Sequence, residues 1–143
     1  MSYAINIMPH RRLAVIELRG IVSGKELRTA LDALVGHTDW EPGWHMIWDG
    51  HECKMRFKSA AEVDALIDAA RACDDRIGTG RVAIVAGRTA NRNKVKLILL
   101  RYPYSRRKRR VFDTFGGALR WIQRADKADH LSDVDLLYRM SRT

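Results

Sequence analysis

Cysteine and proline are scarce in this chain of 143 residues, which has two of the first, Cys53 and Cys73, and three of the second. Two cysteines cannot build the disulfide framework of a small secreted domain, so a fold held by its own core is expected, in a reducing, cytoplasmic setting. Long apolar runs are also missing. The opening stretch MSYAINIMPHRRLAVIELRG breaks each apolar run with polar or basic residues, so neither a signal peptide nor a membrane span is expected there. No internal repeat, low-complexity tract or flexible linker stands out.

The most telling absence is of negative charge. No Asp or Glu lies between Asp75 and Asp113, and that interval holds twelve of the 26 Lys and Arg residues. The remainder of the chain, with fourteen basic and seventeen acidic residues, is close to neutral, so the formal net charge of +9 belongs to one segment. A local positive face is expected there, built of Lys94, Lys96, Arg101, Arg106, Arg107, Lys108, Arg109 and Arg110. On a sheet edge such a run also discourages edge-to-edge pairing. The sharper reading is a patch for phosphate-rich partners, because arginine forks match phosphate oxygens.

With 46% hydrophobic residues there is material for one domain. YAINIM and RLAVIELRG, separated by PHR, predict a strand hairpin. SGKELRTALDALVG predicts a helix with a Ser23/Glu26 capping box, a stripe of Leu27, Ala30, Leu31, Leu34 and Val35, and Gly36 at its end. WHMIWDG reads as a third strand stopping at Asp49 and Gly50. A second helix starts at Ser59, with Glu62 as capping partner, and turns Val63, Leu66, Ile67 and Ala70 inward. RVAIVAG predicts a central strand over residues 82 to 86, buried on both faces. TANRNKVKLILLRY gives a third helix, with Val95, Ile98, Leu99 and Tyr102 inward, stopped by Pro103. RKRRVFD is a fifth strand, and TFGGALRWIQRA a helix burying Phe115, Ala118, Leu119 and Ile122. Beyond it, ADHLSDVDLLYRMSRT predicts a further helix from Ser132 that needs a surface to pack on.

The order β-β-α-β-α-β-α-β-α predicts an α/β fold with a five-stranded mixed sheet, its first strand antiparallel. RRLAVIELRG running into a capped helix, IWDG, RVAIVA and the closing VFDTFGGALRWI together resemble the SpoIIAA-like, or STAS, domains over roughly residues 3 to 125. The resemblance implies a SpoIIAA-like βα superhelix as one domain over residues 1–128, followed by a C-terminal helical extension over 129–143. It also implies a role in regulation, because the family includes anti-sigma-factor antagonists, modules of anion transporters, and lipid- or nucleotide-binding regulators. The antagonists carry a phosphorylatable Ser in an Asp-Ser-Ser-Gly-like turn before the second helix. Here that region reads DGHECKMRFKSAAEVD, without such a turn, and Ser59 is expected to act as a helix cap.

A second candidate site is the corner VAGRTANR, where Arg88, Thr89 and Arg92 would cradle an anion at a helix start, with Thr89 as the cap and Asp49 at the end of the neighbouring strand. His45, Asp49, His51 and Cys53 in HMIWDGHEC lack the paired spacing of a zinc site, so no metal is expected. No Ser or Cys stands in the context of a known nucleophile, and neither catalysis nor a cofactor is expected. Leu97 and Leu100 fall off the core stripe of the third helix and, with Leu136 and Leu137 of the extension, are expected to mediate oligomerisation.

The expected protein is therefore a non-catalytic regulatory or adaptor domain that binds a protein or an anionic partner through its basic face. The partners expected are a second copy of the chain as a homodimer, an unidentified protein, and an anionic lipid or phosphate ligand, with nucleic acid ranked behind them. The alternatives are a small-ligand or lipid carrier and a non-specific nucleic-acid binder. A cavity beneath the GRTANR corner would favour the carrier, and a filled core with an exposed basic face would favour the adaptor.

Overall fold

The computed structural model describes residues 3–102 and 106–129, with side chains placed as far as Ala125. Alternating short apolar runs become five strands: β1 (Tyr3–Met8), β2 (Leu13–Val22), β3 (His45–Met55), β4 (Val82–Val85) and β5 (Arg109–Phe112). They lie side by side in sequence order. β1 pairs antiparallel with β2, and each later strand is parallel to its predecessor. The connections are α1 (Gly24–Val35), α2 (Ala60–Ala72) with the single turn α3 (Asp74–Ile77), and α4 (Thr89–Arg101); α5 (Phe115–Asp129) follows the last strand. The predicted mixed five-stranded α/β sheet is thus found, with β4 between β3 and β5 and with β5 at an edge.

Side chains alternate across the sheet and separate two apolar layers. On one side Ala14, Ile16, Leu18 and Met46 meet Leu27, Leu31 and Leu34 of α1 and Val95 of α4. On the other, Leu13, Ile47, Ala83 and Val85 meet Ala118 and Ile122 of α5. The three crossover helices therefore share one face, and α5 covers the opposite one.

The helix starts follow their capping residues. Ser23 Oγ accepts from the Glu26 amide and Ser59 Oγ from the Glu62 amide, each at 3.2 Å. Glu62 does more than a capping box requires: its carboxylate accepts from the Lys58 amide at 2.6 Å and from the Gly24 amide at 2.7 Å, joining the starts of α1 and α2. These bonds, that from Lys58 foremost, hold its carboxyl below the usual carboxylate range. A depressed carboxyl stabilises the fold fully above the unfolded pKa, and that contribution disappears as pH falls through the folded one. Glu62→Gln should accordingly lower the urea midpoint at neutral pH, with the gap to the native chain closing as titration proceeds below pH 4. A gap independent of pH would contradict the role given to the charge.

β3 departs from the sequence reading. It was expected to stop at Asp49–Gly50 but continues to Met55, because β2 resumes pairing after an irregularity between Glu17 and Arg19 and carries the register to Val22↔Met55. Gly50 is required for closeness and makes no turn: a Cβ there would stand 2.8 Å from the Val85 carbonyl oxygen of the neighbouring strand. Gly78 combines both needs, with φ of +80° and a Cβ position only 2.3 Å from the Gly43 amide nitrogen.

Candidate functional site

A cavity of about 160 Å³ lies between the sheet and α1, α2 and α4. Met46, Trp48, Val82 and Ile84 form its floor at period two on β3 and β4; Leu66 and Ala70 of α2 face Val95, Ile98 and Leu99 of α4 across it. In a filled α/β core the floor of central strands is sealed. Here Trp48, Val82 and Ile84 remain half-buried, as do Leu66, Ala70, Ile98 and Leu99. In α2 only Ile67 is buried, and in α4 only Asn91 and Val95.

The start of α4 is tied to the end of β3. Asn91 is buried at the start of α4, where its side chain accepts from the Met55 amide at 3.1 Å and donates to the Cys53 carbonyl at 2.9 Å. Lys94 adds a bond from Nζ to the Met55 carbonyl. Polar groups thus fasten the first turns of α4 to the end of β3, while the later turns pass over the cavity.

At the far end of the cavity stand Tyr102, Arg107 and Arg109. The Arg71 and Arg109 guanidinium carbons lie 5.0 and 5.1 Å from the Tyr102 ring centroid, within cation–π range. Arg107 is buried; it donates to the Gly78 carbonyl and pairs with the Asp74 carboxylate. Arg109 differs. Its Nη1 is shielded from solvent and has no hydrogen-bond partner among the described residues. Burial foremost, and then the charge of Arg107, pushes its pKa down, with Tyr102 acting in the opposite sense.

Two further members of the basic run, Arg101 and Arg106, are answered by carboxylates from outside the acid-free interval. Arg101 pairs with Asp64 at 2.6 Å, and Arg106 with Asp74 at 2.8 Å and Asp75 at 3.3 Å. Lys96, Lys108 and Arg110 stay exposed, the last lying over the Phe112 ring. Arg88, Thr89 and Arg92 do come together at the start of α4, but the cap position falls to Arg88, and Thr89 is the first helical residue. Arg92 turns inward, donating to the Ala86 and Gly87 carbonyls and to Thr89 Oγ1, so it closes off the end of β4. Asp49 lies beside Val85, within a strand that runs on past it.

His45 is buried and accepts from the Arg81 amide at 2.9 Å. Burial pushes the Cys53 thiol up, and its Sγ donates to the Gly50 carbonyl. No cluster of three or more potential metal ligands occurs among the described residues, and no described helix is long and apolar enough to cross a membrane. Leu97 and Leu100 project outward, 61% and 73% exposed, while Leu136 and Leu137 lie outside the described residues. Sequence reasoning missed Asn91, which nothing distinguishes from Asn93, and missed Trp48 and Arg109 as parts of one cavity.

Fold and cavity together define a small α/β domain whose apolar layer is incompletely filled on the side of the crossover helices. No protein-family model matches the chain, and no curated protein matches its sequence. Among solved structures it is similar to an uncharacterized DUF3478-family protein with a SpoIIAA-like fold from Shewanella loihica PV-4, at 13% identity and a TM-score of 0.55, covering 84% of this chain and 91% of that one. It also matches the anti-sigma factor antagonist SpoIIAA in its unphosphorylated form, at 13% identity and a TM-score of 0.48, covering 87% and 97% of the two chains. The fold is SpoIIAA-like, as the resemblance read from the sequence implied.

Proposed function

We propose that this domain acts by binding a small apolar molecule in the cavity beneath α2 and α4, as a ligand carrier or a ligand-operated regulator. The observation that carries the proposal is the half-buried floor of Trp48, Val82 and Ile84 in the middle of the sheet. Leaving these side chains partly wet forfeits hydrophobic and dispersion energy that a ligand would restore. The volume of about 160 Å³ is comparable to that of an engineered, enclosed apolar cavity of about 150 Å³ that takes up benzene, although here the space is partly open to solvent. None of Arg88, Thr89 and Arg92 lines the cavity, so the reading does not depend on an anion cradle at the GRTANR corner.

A second reading, an adaptor that docks a protein or a second copy of the chain, is favoured by Leu97 and Leu100 on the outer side of α4. Its basic-face version rests on Lys96, Lys108 and Arg110, exposed members of the run with no carboxylate partner among the described residues. Anionic lipid, phosphate and nucleic acid compete for this same small set.

Titration calorimetry of the full chain against 1-hexanol, with heparin as a parallel arm, separates the two. Expected are saturable uptake of one hexanol per chain with a negative heat-capacity change, and heparin binding that is weak at 0.15 M salt. Tight heparin binding with no saturable uptake of hexanol would reverse the order of the readings.

A further inference from the structure

The sheet face that carries α5 is covered only in part. α5 lies over β3, β4 and β5, and beside it a groove of about 420 Å³ runs over β1 and β2. Asn6 and Met8 of β1 with Leu13 and Val15 of β2 form its floor, and Phe115 and Leu119 of α5 its wall. Met8, Val15, Phe115 and Leu119 are apolar and only half-buried. Since about 150 Å³ holds one benzene, the groove has room for several side chains. Its two ends differ in charge. Arg11 stands at the corner between Met8 and Leu13, whereas Glu17 and Asp49, neighbours across β2 and β3, line the other end. Glu17 is met there only by an exposed pairing with Arg19 among the described residues.

We infer that the chain's own C-terminal segment, residues 131–142, covers this groove as a helix antiparallel to α5. α5 begins just after β5 and runs back to the start of β4, where Arg81 donates to the Trp121 carbonyl. The pairings Val82↔Met46, Leu13↔His45 and Met8↔Leu13 put the start of β4 level with the Arg11 corner, so α5 delivers the residues that follow it to that end of the groove. A helix returning from there brings Asp133 and Asp135 to Arg11, and Arg139 and Arg142 to Glu17 and Asp49, matching charge at both ends. The lengths agree as well: Leu13 to Glu17 spans about 13 Å at the rise of a strand, and Asp133 to Arg142 about 13 Å at the rise of a helix. Leu136, Leu137 and Met140 supply an apolar stripe at helical spacing. So short a helix is marginal alone in water and depends on a surface of this kind. The tether favours the chain's own segment over that of a second copy, because a short link holds it at a millimolar effective concentration.

The test is methyl NMR on the full chain. In the native protein, nuclear Overhauser cross-peaks are expected between the Leu136 or Leu137 methyls and those of Leu13, Val15 or Leu119, and a sample mixing labelled and unlabelled chains should show that they arise within one chain. The double variant Leu136→Asp, Leu137→Asp should lose them and shift the Val15 and Leu119 methyl resonances. The Leu31 and Val95 methyls, on the other side of the sheet, should stay in place and so report that the fold is kept. Arg11→Glu should weaken the cross-peaks, and Asp135→Arg added to it should restore them. Cross-peaks that arise between chains would give the groove to a second copy and overturn the inference. Their absence from the native protein, or Val15 and Leu119 signals unmoved in the folded double variant, would overturn it equally. Uptake of hexanol beneath α2 and α4 is a separate measurement, and its outcome stands or falls without this one.

Discussion

Asp74→Ala should destabilise the protein by about 3–5 kcal/mol, the range for removing one partner of a buried ion pair. The Arg107 side chain is only 3% exposed and lies where the chain enters β5. With the carboxylate gone, the bond to the Gly78 carbonyl and the contact with the Asp74 carbonyl would remain, but neither carries a charge. Most of the cost is therefore that of a desolvated cation that has lost the Asp74 charge. Asp75→Ala is the internal control. Its side chain is 99% exposed and, among the described residues, pairs with the half-exposed Arg106, so the change should cost no more than about 1 kcal/mol. Urea denaturation of the three proteins reads both values. Equal, small effects would mean that the pair does not hold the start of β5 in place.

This pair was within reach of the sequence. Parallel β4 and β5 begin at the same end of the sheet, so SRRKRR necessarily arrives beside DDRIGTG, the segment that precedes β4. The basic run appeared unopposed because charge was counted along the chain, whereas the crossover through α4 brings the two segments together. The strand hairpin, the Ser23 and Ser59 caps, the apolar stripe of α1 and the parallel β4 were legible because each follows from local periodicity and capping chemistry. β3 was cut short because Asp-Gly commonly marks a turn, and only the neighbouring Val85 carbonyl shows that Gly50 is there to let two strands approach. The cavity could not be read at all. Leu66, Ala70, Ile98 and Leu99 have the spacing of inward-facing residues whether the helices touch or stand apart, and the buried amide of Asn91 in α4 is bonded to Cys53 and Met55, in the part of β3 that the sequence reading omitted.

The largest effect on binding is expected from filling the cavity. Ala70 lines it from α2, opposite α4, and a phenyl ring introduced at that position would occupy much of a space that suits a ring of that size. Ala70→Phe should abolish saturable uptake of hexanol, a loss of roughly tenfold or more in affinity, since about 1.4 kcal/mol is tenfold. The fold should be kept, because apolar volume added to an existing void is commonly neutral or stabilising by about 0.5–2 kcal/mol. The two effects together distinguish a filled site from a disrupted one, since overpacking of an already dense core would instead destabilise by about 1–3 kcal/mol.

The most direct measurement is thus calorimetric titration of hexanol into native protein and Ala70→Phe, side by side, after thermal melts have shown both to be folded. The expected result is one saturable site in the native chain and none in the variant, with the variant melting no lower. Equal uptake by the two proteins would place the ligand elsewhere and contradict a binding site beneath α2 and α4.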